Sequence, residues 1–171
     1  MYDAVVLAAG YSSRAGTNKM TLVIDNKTVL ERVIETLRAV CGKIVVVGGH
    51  NIESVKKITD KYEVVTLVEN KDYPLGMFSS VKRGVMEMNN DFFLIPGDYP
   101  LVKESTYHEL MKCDGDFIIP VYKSRRGHPV LIKKKLIAGL NEEPVESNLK
   151  AFRNKCDAVF IGVEDEGILL D

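Results

Sequence analysis

Six short apolar runs, at residues 4–7, 44–47, 64–68, 92–95, 117–121 and 159–161, recur along the chain with helix-like patterns between most of them. Runs of Val, Ile, Leu and Phe that do not alternate with polar residues are strands covered on both faces. A mostly parallel sheet held between two helix layers meets that demand. The expected fold is therefore α/β: a three-layer αβα, Rossmann-like arrangement. The helix signals agree. Thr28 and Glu31 form a capping box, after which Leu30, Val33, Ile34, Leu37 and Cys41 share one face of a helix ending near Gly42. Asn51 stands where it can cap a second helix with Ile52, Val55 and Ile58 inward, and Val81, Val85 and Met88 mark the inner face of a third.

At 171 residues, with no linker, repeat or low-complexity segment, the expectation is one domain spanning residues 1–171. Lys and Arg nearly balance Asp and Glu, leaving a net charge of −1, so there is no global electrostatic case for nucleic acid or an anionic membrane. Cys41, Cys113 and Cys156 are far apart, odd in number and without a C-x-x-C pair. That argues against a disulfide framework and a zinc site and for free thiols in a reducing compartment. No stretch approaches the roughly 18 apolar residues of a membrane span, so a soluble, cytoplasmic protein is expected.

In such sheets ligands bind beyond the carboxyl ends of the strands. The loops selected are 10–20, 48–51, 69–76, 96–100 and 122–129. The first is entered from a buried run through Leu7-Ala8-Ala9-Gly10. Gly10 and Gly16 let backbone N–H groups turn towards an anion, and Arg14 and Lys19 supply positive charge. Two better-known phosphate loops are excluded. Gly16 is followed by Thr17 and Asn18 instead of Lys, and Met20 follows Lys19, against the Walker A pattern; Ser12 occupies the place of the second glycine of G-x-G-x-x-G. A glycine-rich surface turn with two solvated cations is the plainer alternative.

Asp98 lies at the mouth of an apolar run, between Gly97 and the Tyr99-Pro100 pair. A lone carboxylate there suits Mg²⁺, which takes one or two protein carboxylates plus substrate phosphate oxygens; the plainer alternative is an Asp closing a turn. Gly76-Met77-Phe78-Ser79-Ser80 permits close approach of a sugar or base, or is a helix start capped by Ser79 or Ser80. Lys123, Arg125, Arg126 and His128 bring three cations and a histidine to one loop, suited to gripping a second anionic substrate or merely solvated. His128, before Pro129, reads as structural or orienting, His50 as near the site, and His108 as exposed. No G-x-S-x-G elbow or Cys/His constellation supports a covalent acyl intermediate.

Taken together, Leu7-Ala8-Ala9-Gly10, Arg14, Gly16, Lys19, the segment from Gly76 to Ser80, Gly97-Asp98-Tyr99-Pro100 and Arg126-Gly127-His128-Pro129 give the chain a resemblance to the MobA-like nucleotidyltransferases, on the molybdenum cofactor cytidylyltransferase side. The resemblance implies that Leu7, Ala8, Ala9, Gly10 and Gly16 lie against a nucleotide. It implies that Arg14 and Lys19 neutralise the phosphates, that Asp98 holds Mg²⁺, and that Gly76, Met77, Ser79 and Ser80 border base and ribose. Arg125, Arg126 and His128 would face the acceptor. Leu-Ala-Ala-Gly is similar to cytidylyl-transferring members, whereas guanylyl-transferring members usually show Leu-Ala-Gly-Gly, which favours CTP over GTP. In the family a segment like residues 165–171 usually continues into an Asp-Thr-Pro turn and a last helix, while this sequence stops at Asp171. A second acidic metal ligand is expected in that region, and Asp171 is its candidate.

The expected reaction is Mg²⁺-dependent transfer of a nucleoside monophosphate, CMP from CTP, onto a phosphorylated small-molecule acceptor such as molybdopterin or molybdenum cofactor, releasing pyrophosphate. A phosphate nucleophile is already anionic, so no general base is required. Two alternatives stand beside it: a sugar-phosphate or isoprenoid-precursor nucleotidyltransferase, and a non-catalytic binding module that delivers molybdenum cofactor to a partner molybdoenzyme. A nicotinamide oxidoreductase is disfavoured by the absent dinucleotide fingerprint.

Overall fold

The structure, a computed structural model, describes residues 1–11 and 18–171. Its strands are β1 (Tyr2–Ala8), β2 (Val23–Ile24), β3 (Lys27–Thr28), β4 (Lys43–Gly48), β5 (Val65–Glu69), β6 (Asp91–Pro96), β7 (Phe117–Tyr122), β8 (Arg125–Arg126), β9 (Val130–Ile132) and β10 (Ala158–Gly162). The helices are α1 (Val29–Arg38), α2 (Ile52–Thr59), α3 (Met77–Val85), α4 (Glu104–Met111), α5 (Ile137–Glu142) and α6 (Leu149–Arg153). The main sheet runs β10-β7-β9-β6-β1-β4-β5, with β8 hydrogen-bonded to β7, while β2 and β3 form a separate hairpin.

The sheet is parallel wherever the six apolar runs pair with one another. β1 lies between β4 and β6, with Val5 opposite Val45 on one side and Leu94 on the other. The antiparallel strand β9 separates β6 from β7. Its three residues are too short a run to stand out by periodicity, yet Val130, Leu131 and Ile132 are all buried.

Side-chain alternation along the strands builds two cores. Ala4, Val6, Ala8, Ile44 and Val46 face Leu30, Val33, Ile34 and Leu37 of α1, together with Val55 of α2 and Leu110 of α4. Val5, Leu7, Ala9, Val45 and Val47 face Phe78, Val81 and Val85 of α3, with Leu140 of α5 and Phe152 of α6 beyond. Fully burying one Leu or Ile side chain is worth roughly 2 kcal/mol, so the two apolar layers supply the main cohesion of the fold. At Gly84 α3 comes so close to β1 that an added Cβ would lie 2.4 Å from Val5 Cγ1.

The structure follows some local signals and overrules others. The Thr28–Glu31 capping box forms with both bonds, Thr28 N to Glu31 Oε2 at 2.7 Å and Glu31 N to Thr28 Oγ1 at 3.2 Å. The helix stops at Arg38 instead of near Gly42: the Ala39 and Val40 N–H groups bond three residues back, to the Thr36 and Leu37 carbonyls, and the Gly42 N–H leaves the helix for the Tyr2 carbonyl of β1. Asn51 precedes α2 in the left-handed region, φ 60°, and its side chain makes no capping bond. Ser79 and Ser80 lie inside the first turns of α3, which opens at Met77, so neither is its cap. The outer strands β5 and β10 are only partly buried, since each has a neighbour on one side alone. Cys41, Cys113 and Cys156 are unpaired. No helix among the described residues is long and apolar enough to cross a membrane.

Candidate active site

The carboxyl ends of β1 and β6 open onto a cavity of about 440 Å³. Leu7, Ala9 and Gly10 form its floor, Gly76, Met77 and Ser80 one wall, and Pro96, Asp98, Lys19 and Met20 the other. Tyr11, Tyr73 and Pro74 complete the rim. Strand alternation decides which of the β1 residues reach it: Leu7 and Ala9 face the α3 side, whereas Ala8 points into the opposite core.

The wall is held by a buried polar cluster. Asn70, which follows β5, donates through Nδ2 to both Ser79 Oγ and Ser80 Oγ at 2.9 Å, and the single Ser79 hydroxyl proton is shared between the carbonyls of Gly76 at 2.7 Å and Asp72 at 2.9 Å. All three side chains are buried, so these bonds are obligatory partners for groups withdrawn from water. Gly76 adopts φ 108° and ψ 175°, a region essentially closed to side chains, and a Cβ there would meet nothing within 4 Å. The bare backbone before α3 thus faces open cavity.

The charged wall is built from three distant parts of the chain. Lys19 opens a 3-10 turn whose cap, Asn18, accepts from Met20 N through its side chain at 3.1 Å. The Lys19 Nζ lies 3.6 Å from Asp98 Oδ2 and 3.2 Å from Asp171 Oδ2. Burial pushes the Asp98 carboxyl up, Lys19 draws it down, and Asp171 pushes it up again. Hydrogen bonding to Asp171 raises the Lys19 ammonium, with Asp98 adding to the effect.

The C-terminal segment that carries Asp171 is anchored by Asp165. Its Oδ2 accepts from Lys103 N at 2.9 Å and from Thr106 Oγ1 at 2.6 Å, and its Oδ1 accepts from Gly167 N at 2.9 Å. One carboxylate therefore caps the turn Glu166–Leu169 and ties it to the start of α4.

Among the residues expected from sequence, Lys19, Asp98, Leu7, Ala9, Gly10, Gly76, Met77 and Ser80 line one cavity, and Asp171 reaches it through Lys19. Arg14 and Gly16 lie outside the described residues. Ser79 supports the wall without lining it. The proposed acceptor group does not line the cavity either. Arg125 and Arg126 form exposed β8, and the Arg126 guanidinium stands 4.6 Å from the centre of the Phe160 ring. His128 packs edge-on against Tyr99, ring centres 5.0 Å apart, and its buried Nδ1 has no hydrogen-bond partner among the described residues. Burial lowers its pKa to about 4, so at neutral pH it brings no charge to an anion. His108 is exposed as expected, and His50 sits in an aromatic group with Tyr11 and Tyr73, 4.9 and 5.9 Å between ring centres.

Tyr11, Tyr73, Met20 and Asn70 belong to the cavity or its support without being candidates from the sequence. Asn70 carried one usable signal, a polar residue directly after a strand and before the Gly76 loop; the others are ordinary residue types whose position only the fold reveals.

Asp98 and Asp171 are the side chains that could share a divalent ion. The Lys19 ammonium between them is a tethered cation standing where two hard oxygen donors converge, and the pair fits an ion that completes its shell with phosphate and water. Among the described residues no group of three or more His, Cys, Asp or Glu side chains forms a fuller protein cage.

The family of the MobA-like NTP transferase domain matches residues 4–159. The chain is 28% identical over 171 residues to a molybdenum cofactor cytidylyltransferase of Escherichia coli (strain K12), covering 99% of this chain and 89% of that protein. It is 31% identical over 126 residues to a probable molybdenum cofactor guanylyltransferase of Natranaerobius thermophilus, covering 70% of this chain and 60% of that protein. Among solved structures, a nucleotidyl transferase from Methanothermobacter thermautotroptrophicus superposes with a TM-score of 0.81 at 21% identity, covering 99% of this chain and 91% of that one.

Proposed function

The chain belongs to the MobA-like NTP transferase family, and from that premise we propose that it transfers CMP from CTP to a phosphorylated acceptor of the molybdopterin or molybdenum cofactor type, with Mg²⁺. The observation that carries the reading is the meeting of Lys19, Asp98 and Asp171 at the edge of a cavity floored by Ala9 and Gly10. A cavity with a bare glycine wall on one side and Asp98 and the Lys19 ammonium on the other, with Asp171 behind that ammonium, suits a ligand with a flat, neutral end and a polyphosphate end.

In this mechanism the backbone from Ala9 to Gly10 and the wall from Gly76 to Ser80 hold the nucleoside, while Lys19, with Arg14, takes the phosphates. An acceptor phosphate oxygen attacks the α-phosphorus; the bond from that phosphorus to the β-phosphate oxygen breaks, and pyrophosphate leaves with the electron pair. Asp98 and Asp171 would hold a divalent ion, which when bound neutralises charge on the transferring phosphoryl group. No side chain needs to remove a proton from an acceptor phosphate that is already ionised. The protein's own contribution is alignment and charge placement.

The preference for CTP rests on Ala9, whose counterpart is usually glycine in guanylyl-transferring members; the relatives include both kinds. The acceptor assignment rests on the same relatives. A matrix of nucleoside triphosphates against phosphorylated acceptors, read by pyrophosphate release, tests both. Turnover with CTP and a molybdopterin-type acceptor is expected; faster release from GTP would overturn the base choice, and turnover only with a sugar or isoprenoid phosphate would overturn the acceptor.

A further inference from the structure

We infer that the Lys19 ammonium is the resident occupant of the cation position between Asp98 and Asp171, and that it must withdraw before a divalent ion can enter. Nucleotide and metal would then be taken up as one coupled event. The inference rests on the roles proposed above for these three residues and concerns the order in which they change partners.

Three observations support it. First, one Nζ atom lies within 4 Å of both carboxylates, so the position that a shared divalent ion would use is already taken by positive charge. Second, the two sides of the pair differ: the Asp98 side chain is 20% exposed and the Asp171 side chain 53%. Asp98 is thus the carboxylate that most needs a counter-ion, and without one the two acids repel each other.

Third, the lysine is built to move without disturbing its backbone. The turn Lys19–Thr21 is pinned by Met20 N and Thr21 Oγ1, which donate to the side chain and the carbonyl of Asn18 at 3.1 and 2.9 Å. The long aliphatic stem can therefore pivot from the carboxylates towards the adjoining cavity, which Lys19 also lines. A polyphosphate bound there offers the ammonium a stronger set of anions than Asp98 and Asp171 do. As Lys19 crosses to it, the carboxylates lose their counter-ion and the bound phosphates provide the remaining oxygen donors. Lys19 so acts as a gate on metal uptake in addition to its proposed contact with phosphate.

The test is Mn²⁺ binding to the nucleotide-free protein, followed by loss of the free Mn²⁺ signal in electron paramagnetic resonance. Lys19→Ala should bind Mn²⁺ about tenfold more tightly than the unchanged protein, because the competing charge is gone. Lys19→Arg, which restores a cation, should return the affinity to its original level. The gain should vanish in the double variant Lys19→Ala, Asp98→Asn. Equal or weaker Mn²⁺ binding by Lys19→Ala, or a gain that survives the Asp98 change, would overturn the inference. Because no nucleotide is present, these outcomes are independent of turnover: failure of pyrophosphate release would strike the nucleotidyl-transfer reading and leave the gate intact.

Discussion

The Thr106 hydroxyl donates to Asp165 Oδ2 at 2.6 Å, tying the start of α4 to the turn that leads the chain back to Asp171. Asp165 is buried and serves two further donors, Lys103 N and Gly167 N. Asp165→Ala leaves three donors without a partner and should cost about 3 kcal/mol or more, since each buried unsatisfied group carries a penalty of about 1 to 3 kcal/mol. Asp165→Asn keeps one acceptor oxygen and should lose less. Urea unfolding of the two variants, compared through their midpoints at constant slope, checks the order.

Lys19 and Asp98 should matter to rate more than to folding. Both sit at the cavity edge, outside the apolar cores. Lys19→Ala and Asp98→Asn should each lower nucleotidyl transfer by about 10² to 10³, the usual effect of deleting one preorganised charge group. Full metal-dependent pyrophosphate release by both variants, with unchanged thermal unfolding, would remove them from the mechanism.

Gly76→Ala separates conformation from contact. A methyl group there touches nothing within 4 Å, so no clash arises, but φ 108° must be held by a residue with a Cβ. The expected loss is about 1 to 3 kcal/mol of stability. Relaxation of the strained turn should also displace the cavity wall and raise the nucleotide KM more than it lowers kcat. A normal melting temperature with an unchanged KM would refute this role.

His128 predicts a pH dependence of stability with a defined sign. Its folded pKa, about 4, lies below the ordinary value of 6.5 because burial disfavours the imidazolium. Above pH 6.5 both folded and unfolded states are neutral and nothing is lost. As pH falls from 6.5 towards 4 the unfolded chain takes up the proton first, so stability declines through that window by up to roughly 3 kcal/mol. Melting curves between pH 7.5 and 4.5 should show a shallower decline in His128→Phe than in the unchanged protein; identical slopes would show that His128 is not the group responsible.

Much of the architecture could be read from the sequence for a simple reason. The runs at residues 4–7, 44–47 and 92–95 are apolar throughout, and only a strand covered on both faces uses such a run; they became β1, β4 and β6 at the centre of the sheet. Of the loops selected by their place after strands, 10–20, 69–76 and 96–100 supply cavity lining, because parallel strands all end at one edge, whereas 48–51 and 122–129 supply none. What escaped was β9, whose three residues pair antiparallel to β6 and β7 and acquire meaning only from those neighbours. The role of Ser79 and Ser80 escaped too, since it depends on Asn70, from the far side of the Gly76 loop.

The charged wall marks the division most clearly. Residue type and spacing alone marked Lys19 and Asp98 as candidates, beside plainer turn readings, because a cation after a glycine loop and an acid at a strand mouth are local patterns. Asp171 came only from a family likeness, with nothing local to place it. That its carboxylate and that of Asp98 hold the same ammonium was decided by the tertiary structure: by the β1–β6 pairing that brings two strand ends together, and by Asp165, whose bonds to α4 steer the last residues back across the sheet. Local sequence fixes backbone preference and burial within a few residues, whereas a distance between atoms 152 positions apart depends on how every intervening layer packs.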